Sequence, residues 1–257
     1  MREVLDAIPD RRAELERARQ LIAERSTGNL APNRKTIAVL GDSHAVDFGL
    51  ALQLTLGDDK ANVVLLHHLC DPLSRDSITI PIPQLYERHG QDQTRVPGFC
   101  ENFHDEFIQM ILGAKPDIVV FSEAWRPETL PYVKRTMESV KAATQARILI
   151  MGRVPELSGN PDVTFRAMPT FDSINESAWG RRSRIFDDFD ARLKAIAEET
   201  GVAFISKTEA VCPNLVCEIM IGTELGYTDT QHWTVAGMEH YGRRMVETPV
   251  FRRLLAE

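Results

Sequence analysis

Residues 36–45 read TIAVLGDSHA, and this stretch decides how the chain folds. The run from residue 36 to residue 40 carries no charge and is mostly apolar, as expected of a short buried strand. Gly41 follows it and permits a tight turn, because glycine has no Cβ to clash with neighbouring backbone. An apolar segment with helical spacing then begins at Ala45. The stretch therefore predicts a strand, a sharp turn and a helix, which is the first half of a βαβ unit.

The same alternation continues toward the carboxyl terminus. Apolar runs predict four more strands, at residues 62–66, 117–122, 147–151 and 202–205. Helical spacing predicts helices at residues 45–56, 101–113, 130–144, 181–200 and 234–247. Strands that alternate with helices through right-handed crossovers indicate an α/β fold, a three-layer α/β/α sandwich with a five-stranded parallel sheet, as in flavodoxin-like domains. Such a sheet carries its functional residues just beyond the carboxyl ends of its strands.

The rest of the chain is interpreted as loops and an N-terminal extension. Irregular segments are predicted at residues 70–100, 154–179 and 206–233. Residues 1–35 are assigned to an amphipathic helix over residues 2–25 and a linker, and residues 36–257 to the domain itself. The sequence leaves open whether this helix packs on the domain or forms a stalk from an upstream segment.

The overall composition excludes some classes of partner. Of the 257 residues 43% are hydrophobic, which is enough for the core of an α/β domain, and the net charge is −7. An acidic chain is not expected to bind nucleic acid or an anionic membrane surface. No apolar run approaches the roughly 20 residues that cross a bilayer. The first thirty residues, rich in Arg and Glu, do not read as a secretory signal, which is compatible with a cytoplasmic location.

Four cysteines bear on the redox state of the chain. Cys212 and Cys217 lie five residues apart in a predicted loop, while Cys70 and Cys100 flank a proline-rich segment. Their spacing lacks the paired C-x-x-C knuckles of a structural zinc site. Two disulfides in an oxidising compartment and four free thiols in the cytosol are both compatible with the pattern.

Ser43 lies at the predicted N-terminus of the first helix of the domain, directly after Asp42. Backbone N–H groups in the first turn of a helix have no intrahelical partner, so they can stabilise an oxyanion. The Ser43 hydroxyl is therefore a candidate nucleophile whose own N–H is one oxyanion donor. The alternative is that Ser43 or Asp42 only caps the helix.

A second candidate stretch lies just before the last predicted helix, where residues 229–232 read DTQH. A serine hydroxyl becomes nucleophilic when a base removes its proton, and an imidazole held by a carboxylate is such a base. Asp229 and His232 are three residues apart, so one turn can supply both groups. The alternative is an Asx turn beside a solvent-facing histidine, because D-x-x-H on its own is a weak motif.

Together the two stretches resemble the SGNH (GDSL-like) hydrolase superfamily, in which the serine of G-D-S and the Asp and His of D-x-x-H form a triad. The chain further resembles the extracytoplasmic SGNH domain fused to bacterial membrane acyltransferases that O-acetylate surface polysaccharides. This resemblance spans about residues 36–247. It rests on GDSHA at 41–45, LCDPL at 69–73, the segment 119–125, GRVP at 152–155, the pair Cys212 and Cys217, and YTDTQHWT at 227–234.

The resemblance implies a serine-dependent acyl-ester hydrolase or O-acyltransferase that acts on a carbohydrate or polysaccharide, with acetyl as the expected acyl group. It implies Ser43 as nucleophile, His232 as base and Asp229 as orienting carboxylate. It also implies a periplasmic or extracytoplasmic location, paired cysteines, an acyl donor and a carbohydrate acceptor, and a membrane acyltransferase as partner or fused domain. No metal or organic cofactor is required, and adjacent His67 and His68 are not expected to share an ion, because neighbours on a strand face opposite ways.

The sequence departs from the superfamily at the oxyanion hole. No G-x-N-D block is present, and residues 122–126 after the third predicted strand read SEAWR. The second donor is therefore open, either a backbone N–H near residues 125–126 or an unplaced side chain. The candidates for oxyanion or substrate contacts are Asp42, His44, Trp125 and Arg126. Asp42 usually supports the turn in the resembling families.

The open oxyanion hole supports an alternative function, a catalytically silent SGNH-fold module that binds glycan for a membrane acyltransferase. In a third interpretation the chain is an unrelated flavodoxin-like binding domain and the two motifs coincide by chance. Glu123, within the SEAWR segment, is interpreted either as a substrate contact or as part of a surface salt bridge.

Overall fold

The computed structural model describes residues 10–25, 31, 33–57, 60–67 and 103–256. The predicted irregular segment at residues 70–100, which holds Cys70 and Cys100, lies outside the described residues, as does His68. No helix in the described part of the chain is both long enough and apolar enough to cross a membrane.

Five strands form one sheet in which every neighbouring pair runs parallel, in the order β2-β1-β3-β4-β5. The strands are Lys35–Gly41 (β1), Ala61–His67 (β2), Ile118–Phe121 (β3), Arg147–Met151 (β4) and Ala203–Ile205 (β5). β1 lies inside the sheet, between β2 and β3, so its carboxyl end is flanked by the ends of two other strands. The predicted five-stranded parallel sheet is confirmed.

Helices precede, connect and follow the strands. The helices are Arg11–Arg25 (α1), Ser43–Leu56 (α2), Phe103–Ala114 (α3), Leu130–Ala143 (α4), Pro161–Phe165 (α5), Phe171–Ala178 (α6), Phe189–Thr200 (α7), Lys207–Val211 (α8), Val235–Glu247 (α9) and Pro249–Ala256 (α10). A two-stranded antiparallel hairpin, Met220–Ile221 (β6) with Glu224–Leu225 (β7), stands apart from the main sheet.

Two hydrophobic cores fill the two faces of the sheet, because alternate residues of a strand point in opposite directions. Ile37 and Val39 of β1 face a core that includes buried side chains of α2, α9 and α10. Ala38 and Leu40 face the other core, which α3, α4 and α7 complete. Helices thus cover both faces, as a parallel sheet requires, and the predicted three-layer α/β/α sandwich is confirmed.

The helix predicted at residues 181–200 is shorter in the structure, where α7 begins only at Phe189. Arg182 is extended, with φ −83° and ψ 159°, and the Ser183 N–H donates to the carbonyl of Glu156 over 2.7 Å. Backbone groups that pair with the segment after β4 cannot also form a helix, so the helix starts later than its spacing indicates.

Two stretches predicted to be irregular contain short elements. Residues 154–179 include α5 and α6, and α6 begins with a capping box in which Thr170 and Ser173 exchange hydrogen bonds. Residues 206–233 include α8 and the β6–β7 hairpin. These elements are only two to eight residues long, which is too short for hydrophobic periodicity to indicate them.

The N-terminal helix α1 packs on the domain in the described structure. Ala18 is fully buried, and Leu15 and Ile22 pack against the core that α2 and α9 share. Packing on the domain is one of the two arrangements that the sequence left open. The division into residues 1–35 and 36–257 remains a prediction.

Candidate active site

The turn after β1 is built around Gly41, whose φ is +143°. A Cβ at this position would lie 2.3 Å from the backbone oxygen of Ser122, well inside van der Waals contact. Only glycine combines this backbone conformation with so close an approach to the next strand. The turn places Ser43 at the first residue of α2, half-buried at the carboxyl end of the sheet.

Asp42 is the N-cap of α2 and fastens the turn to the segment after β3. One carboxylate oxygen accepts a hydrogen bond from the His44 N–H over 2.9 Å, and the other accepts from the Ala124 N–H over 3.1 Å. The Asp42 N–H donates in turn to a carboxylate oxygen of Glu123 over 3.2 Å. Asp42 therefore occupies both of its carboxylate oxygens in holding the turn.

The loop that carries His232 is folded on itself just before α9. The Thr228 N–H donates to the carbonyl of His232 over 2.8 Å. One Asp229 oxygen accepts from the N–H groups of Gln231 and His232, each over 2.9 Å. Thr234 then caps α9 by accepting from the Gly237 N–H over 3.1 Å. This Asx-type turn directs the Asp229 carboxylate toward the histidine that follows it.

Ser43, His232 and Asp229 form a row of hydrogen bonds. Ser43 Oγ lies 2.9 Å from His232 Nε2, and His232 Nδ1 lies 2.7 Å from the second Asp229 oxygen. Burial alone would raise the pKa of Asp229, but the hydrogen bond and charge of His232, with the two amides, hold it below its usual value. An ionised carboxylate only accepts, so Nδ1 carries the proton and Nε2 presents its lone pair to the serine.

The backbone of Ser43 offers one donor for a developing negative charge. As the first residue of α2, its N–H has no intrahelical partner, and it lies at the positive end of the helix dipole. The arrangement combines a hydroxyl, an imidazole within hydrogen-bonding distance of it and an N–H at a helix terminus. Such a set can carry out acyl transfer to and from the serine oxygen.

His44 follows the serine but points into the protein, where it is 3% exposed. Its ring centroid lies 5.4 Å from that of His232. Burial lowers the pKa of His44 well below its usual value. The positive charges of Lys207, of His232 in its protonated form and of Arg153 act in the same direction, against a hydrogen bond with Gln231. A neutral His44 ring therefore packs beside His232, and its role toward a substrate stays a prediction.

Trp125 and Arg126 lie on the loop that continues from β3. The indole N–H of Trp125 donates to the carbonyl of Met151 over 2.7 Å, and the ring is 3% exposed. The Trp125 carbonyl accepts from Arg153 over 2.5 Å. The Arg126 N–H is 3.2 Å from the Thr129 hydroxyl. The indole group is thus committed to packing and to Met151, and the predicted role of these two residues as oxyanion or substrate contacts stays a prediction.

Glu123 was interpreted in part as belonging to a surface salt bridge, and the surface position is wrong. Its side chain is 2% exposed and accepts the hydrogen bond from the Asp42 N–H. β3 lies beside β1 in the sheet, so Glu123, just after β3, contacts the turn after β1 and is buried. Glu123 supports the backbone next to Ser43.

Buried charges that the sequence did not single out surround the site. Asp47 is 2% exposed and Lys207 is 1% exposed. Burial lowers the pKa of Lys207 to about 8, and the carboxylates of Asp42, Asp47 and Glu123 oppose that shift. A signal for Asp47 was present, because it is the one charged residue of the otherwise apolar α2 and lies four residues after Ser43. The sequence gave no such signal for Lys207, because S-K-T-E at the start of a helix is typical of a solvated surface.

A disulfide joins Cys212 and Cys217 in the carboxyl-terminal third of the chain. The residue after it, Glu218, accepts hydrogen bonds over 2.6 Å from both His240 and Arg244 of α9. The sequence left the pairing of these two cysteines open, and the family resemblance implied it. The loop that contains this disulfide is fastened to the helix that follows His232.

Comparisons with known proteins agree with this architecture. The family model described as the SGNH domain (fused to AT3 domains) matches residues 10–247. The periplasmic domain of the lipopolysaccharide acetyltransferase of Salmonella ser. Paratyphi A has a similar structure, with a TM-score of 0.68 and 16% identity over 95% of this chain and 97% of that chain. Est24, a carbohydrate acetylesterase from Sinorhizobium meliloti, gives a TM-score of 0.48 and 12% identity over 83% of this chain and 97% of that one. No curated protein matches the chain in sequence.

Proposed function

The chain belongs to the family of SGNH domains fused to AT3 domains, and on this premise we propose that it is a serine-dependent acyl-ester hydrolase or O-acyltransferase. The proposed acyl group is acetyl and the proposed acceptor is a carbohydrate or polysaccharide hydroxyl. The observation that carries the proposal is the hydrogen-bonded row in which His232 Nε2 lies 2.9 Å from Ser43 Oγ and Nδ1 lies 2.7 Å from Asp229. In this proposal Ser43 is the nucleophile, His232 the base and Asp229 the carboxylate that holds the base.

In the first step, His232 Nε2 takes the proton of the Ser43 hydroxyl as its oxygen attacks the carbonyl carbon of an acyl ester or thioester. Asp229 fixes the imidazole orientation and stabilises the imidazolium that forms. The Ser43 N–H donates to the tetrahedral oxyanion, and a backbone N–H near residues 125–126 is the proposed second donor. The imidazolium then protonates the leaving group, which departs and leaves an acyl-serine.

In the second step, an acceptor hydroxyl gives its proton to His232 and attacks the acyl-serine. A sugar hydroxyl yields an O-acyl carbohydrate, whereas water yields the free acid. Collapse of the second tetrahedral intermediate returns the proton to Ser43 Oγ. The same residues therefore support transfer and hydrolysis, and access of sugar or water to the acyl-serine decides between them.

We propose an extracytoplasmic location and a membrane acyltransferase as fused or separate partner. The family is described as SGNH domains fused to AT3 domains, and the similar Salmonella structure is a periplasmic domain. The Cys212–Cys217 disulfide supports an oxidising compartment, because such bonds are rare in the reducing cytosol. Acyl donor and carbohydrate acceptor would meet on that side of the membrane.

A catalytically silent glycan-binding module is the second candidate. The observation that favours it is the oxyanion hole, where the Trp125 indole N–H donates to Met151 instead of facing the serine. With a single donor, the oxyanion would be poorly stabilised. A module of this kind would bind an acylated or free glycan without forming an acyl-serine.

Covalent labelling distinguishes the two candidates. We expect a fluorophosphonate probe to add one label at Ser43, and intact-mass measurement after incubation with acetyl donors to show an added acetyl group on the same residue. The Ser43→Ala variant is the matched control and should take up neither. A wild-type protein that folds normally and remains unlabelled would contradict the enzymatic proposal and favour the binding module.

A further inference from the structure

α1 begins with an arginine that reaches into the candidate active site. Arg11 donates to the backbone carbonyl of Ser43 over 3.2 Å and to the Asp47 carboxylate, whose two oxygens lie 3.1 and 2.9 Å from its guanidinium nitrogens. The start of α1 is fixed by Asp10, which accepts hydrogen bonds from the N–H groups of Arg12 and Ala13. A cation in the first turn of a helix opposes the helix dipole, so the place of Arg11 is not explained by the stability of α1.

Asp47 connects this arginine to the loop of the proposed base. It lies four residues after Ser43, hence on the same face of α2. One of its oxygens accepts a hydrogen bond from the Trp233 N–H over 3.2 Å, and Trp233 directly follows His232. The buried Asp47 carboxylate, which the helix of the proposed nucleophile carries, thus contacts both α1 and the loop of the proposed base.

A second contact from α1 reaches the helix that follows the base. Glu14 is 4% exposed and accepts a hydrogen bond over 2.5 Å from the N–H of Val235, the first residue of α9. A carboxylate at a helix N-terminus is favourable because it complements the unpaired N–H groups and the dipole. One turn of α1 therefore bonds to the first turns of both α2 and α9, the helices that follow Ser43 and His232.

We infer that Arg11 and Asp47 are positioning residues, which set the distance between the hydroxyl of Ser43 and the imidazole of His232. This inference rests on the proposed function. Arg11 holds the Asp47 carboxylate and the Ser43 carbonyl together, and Asp47 holds the backbone next to His232. Neither side chain touches the reacting atoms. Without Arg11 the Asp47 carboxylate is no longer held, so the loop of His232 can move away from Ser43. Small displacements of reacting groups lower the rate strongly.

The test compares two identical substitutions on neighbouring residues of α1. Arg11→Met removes the guanidinium that holds the Asp47 carboxylate and leaves the Asp47–Trp233 hydrogen bond without that support. Arg12→Met is the matched control, because Arg12 is exposed. Hydrolysis of p-nitrophenyl acetate by the full chain is measured for both, with thermal unfolding followed in parallel. We expect Arg11→Met to lower kcat about 10- to 100-fold with KM within about threefold of wild type. We expect Arg12→Met to retain wild-type kcat.

Partial rescue separates positioning from general support of the fold. Arg11→Lys keeps one charged donor but not the two-pronged contact, so its kcat should fall between those of wild type and Arg11→Met. It also carries the test if Arg11→Met does not fold. Equal kcat in Arg11→Met, Arg11→Lys and Arg12→Met would overturn the positioning role but not the proposed function. Wild-type activity that persists in Ser43→Ala would overturn the proposed function, and the positioning role with it.

Discussion

The two halves of the proposed site are held in different ways. The turn of the proposed nucleophile is bonded to the segment that follows β3, the strand beside β1 in the sheet. Asp42 accepts from the Ala124 N–H, and the Ser122 hydroxyl donates to the His44 carbonyl over 2.9 Å. The loop of the proposed base, at residues 228–234, belongs to no strand of the main sheet. It is held instead by contacts from three separate parts of the chain.

Those three contacts come from distant segments. The Thr230 carbonyl accepts from the Leu157 N–H over 2.8 Å, the Trp233 N–H donates to Asp47, and the N–H of the first residue of α9 donates to Glu14. The proposed nucleophile is therefore placed from the side of the sheet, and the proposed base is placed by the Leu157 N–H and by the side chains of Asp47 and Glu14. This contrast implies that substitutions near the turn act mainly on stability, whereas substitutions near the loop act mainly on rate.

The largest effect is expected from the carboxylate that holds the proposed base. Asp229→Asn keeps the shape of the loop but replaces an acceptor-only carboxylate with an amide that no longer fixes the His232 tautomer. We expect kcat to fall about 10⁴-fold with little change in the melting temperature. Steady-state hydrolysis of p-nitrophenyl acetate and thermal unfolding measure the two quantities. A loss below about tenfold would show that Asp229 does not orient the base.

The next effect concerns the turn of the nucleophile. Gly41→Ala forces a Cβ to 2.3 Å from the Ser122 carbonyl at a φ of +143°. Strain and overpacking together should lower the free energy of unfolding by about 4 kcal/mol. Gly180→Ala is the matched control, because nothing lies within 4 Å of a Cβ at Gly180, and its effect should stay within about 0.5 kcal/mol. Urea titration measures both, and equal effects would contradict the close approach.

The pH dependence of stability reports the buried lysine beneath the turn. The pKa of Lys207 is about 8 in the folded protein and 10.5 as an ordinary lysine, so the unfolded chain binds more protons between these values. The contribution of Lys207 to the free energy of unfolding therefore rises from pH 8 to pH 10.5, by roughly 3 kcal/mol. Below pH 8 the cost of the buried charge is fully present.

Lys207→Met should remove that rise, which urea titrations at a series of pH values can measure. The groups that face the lysine are Asp42, Asp47, Glu123, His44 and Arg153. Wild type and variant share these neighbours, so the difference between their stability curves reports the lysine. A wild-type curve parallel to that of Lys207→Met between pH 8 and 10.5 would contradict the lowered pKa.

The smallest effect concerns a single hydrogen bond between the sheet and the turn. Ser122→Ala removes the donor to the His44 carbonyl and should cost about 1 kcal/mol of stability, with kcat lowered by less than about threefold. The matched control is Ser177→Ala on α6, which removes a similar bond to a backbone carbonyl away from the site. A rate loss for Ser122→Ala as large as that of Arg11→Met would contradict the expectation that substitutions near the turn act mainly on stability.

Much of the architecture was readable from the sequence. The five strands, their parallel order with helices between them and the family resemblance are confirmed, because buried strands and amphipathic helices leave periodic apolar patterns. The start of α7 was misplaced because residues 181–183 pair with a distant backbone segment. The roles of Ser43, His232 and Asp229 remain proposals, supported by their geometry.

By itself the sequence determined which residues could do chemistry, since G-D-S and D-x-x-H each form a local turn from neighbouring residues. Only the tertiary structure decided that these turns meet, because Ser43 and His232 lie 189 residues apart and their 2.9 Å contact depends on how the helices pack across the sheet. The same holds for Arg11 and Lys207, whose neighbours in the sequence gave no signal of their burial. A charge becomes buried when distant elements close over it, and no pattern of neighbouring residues records that event.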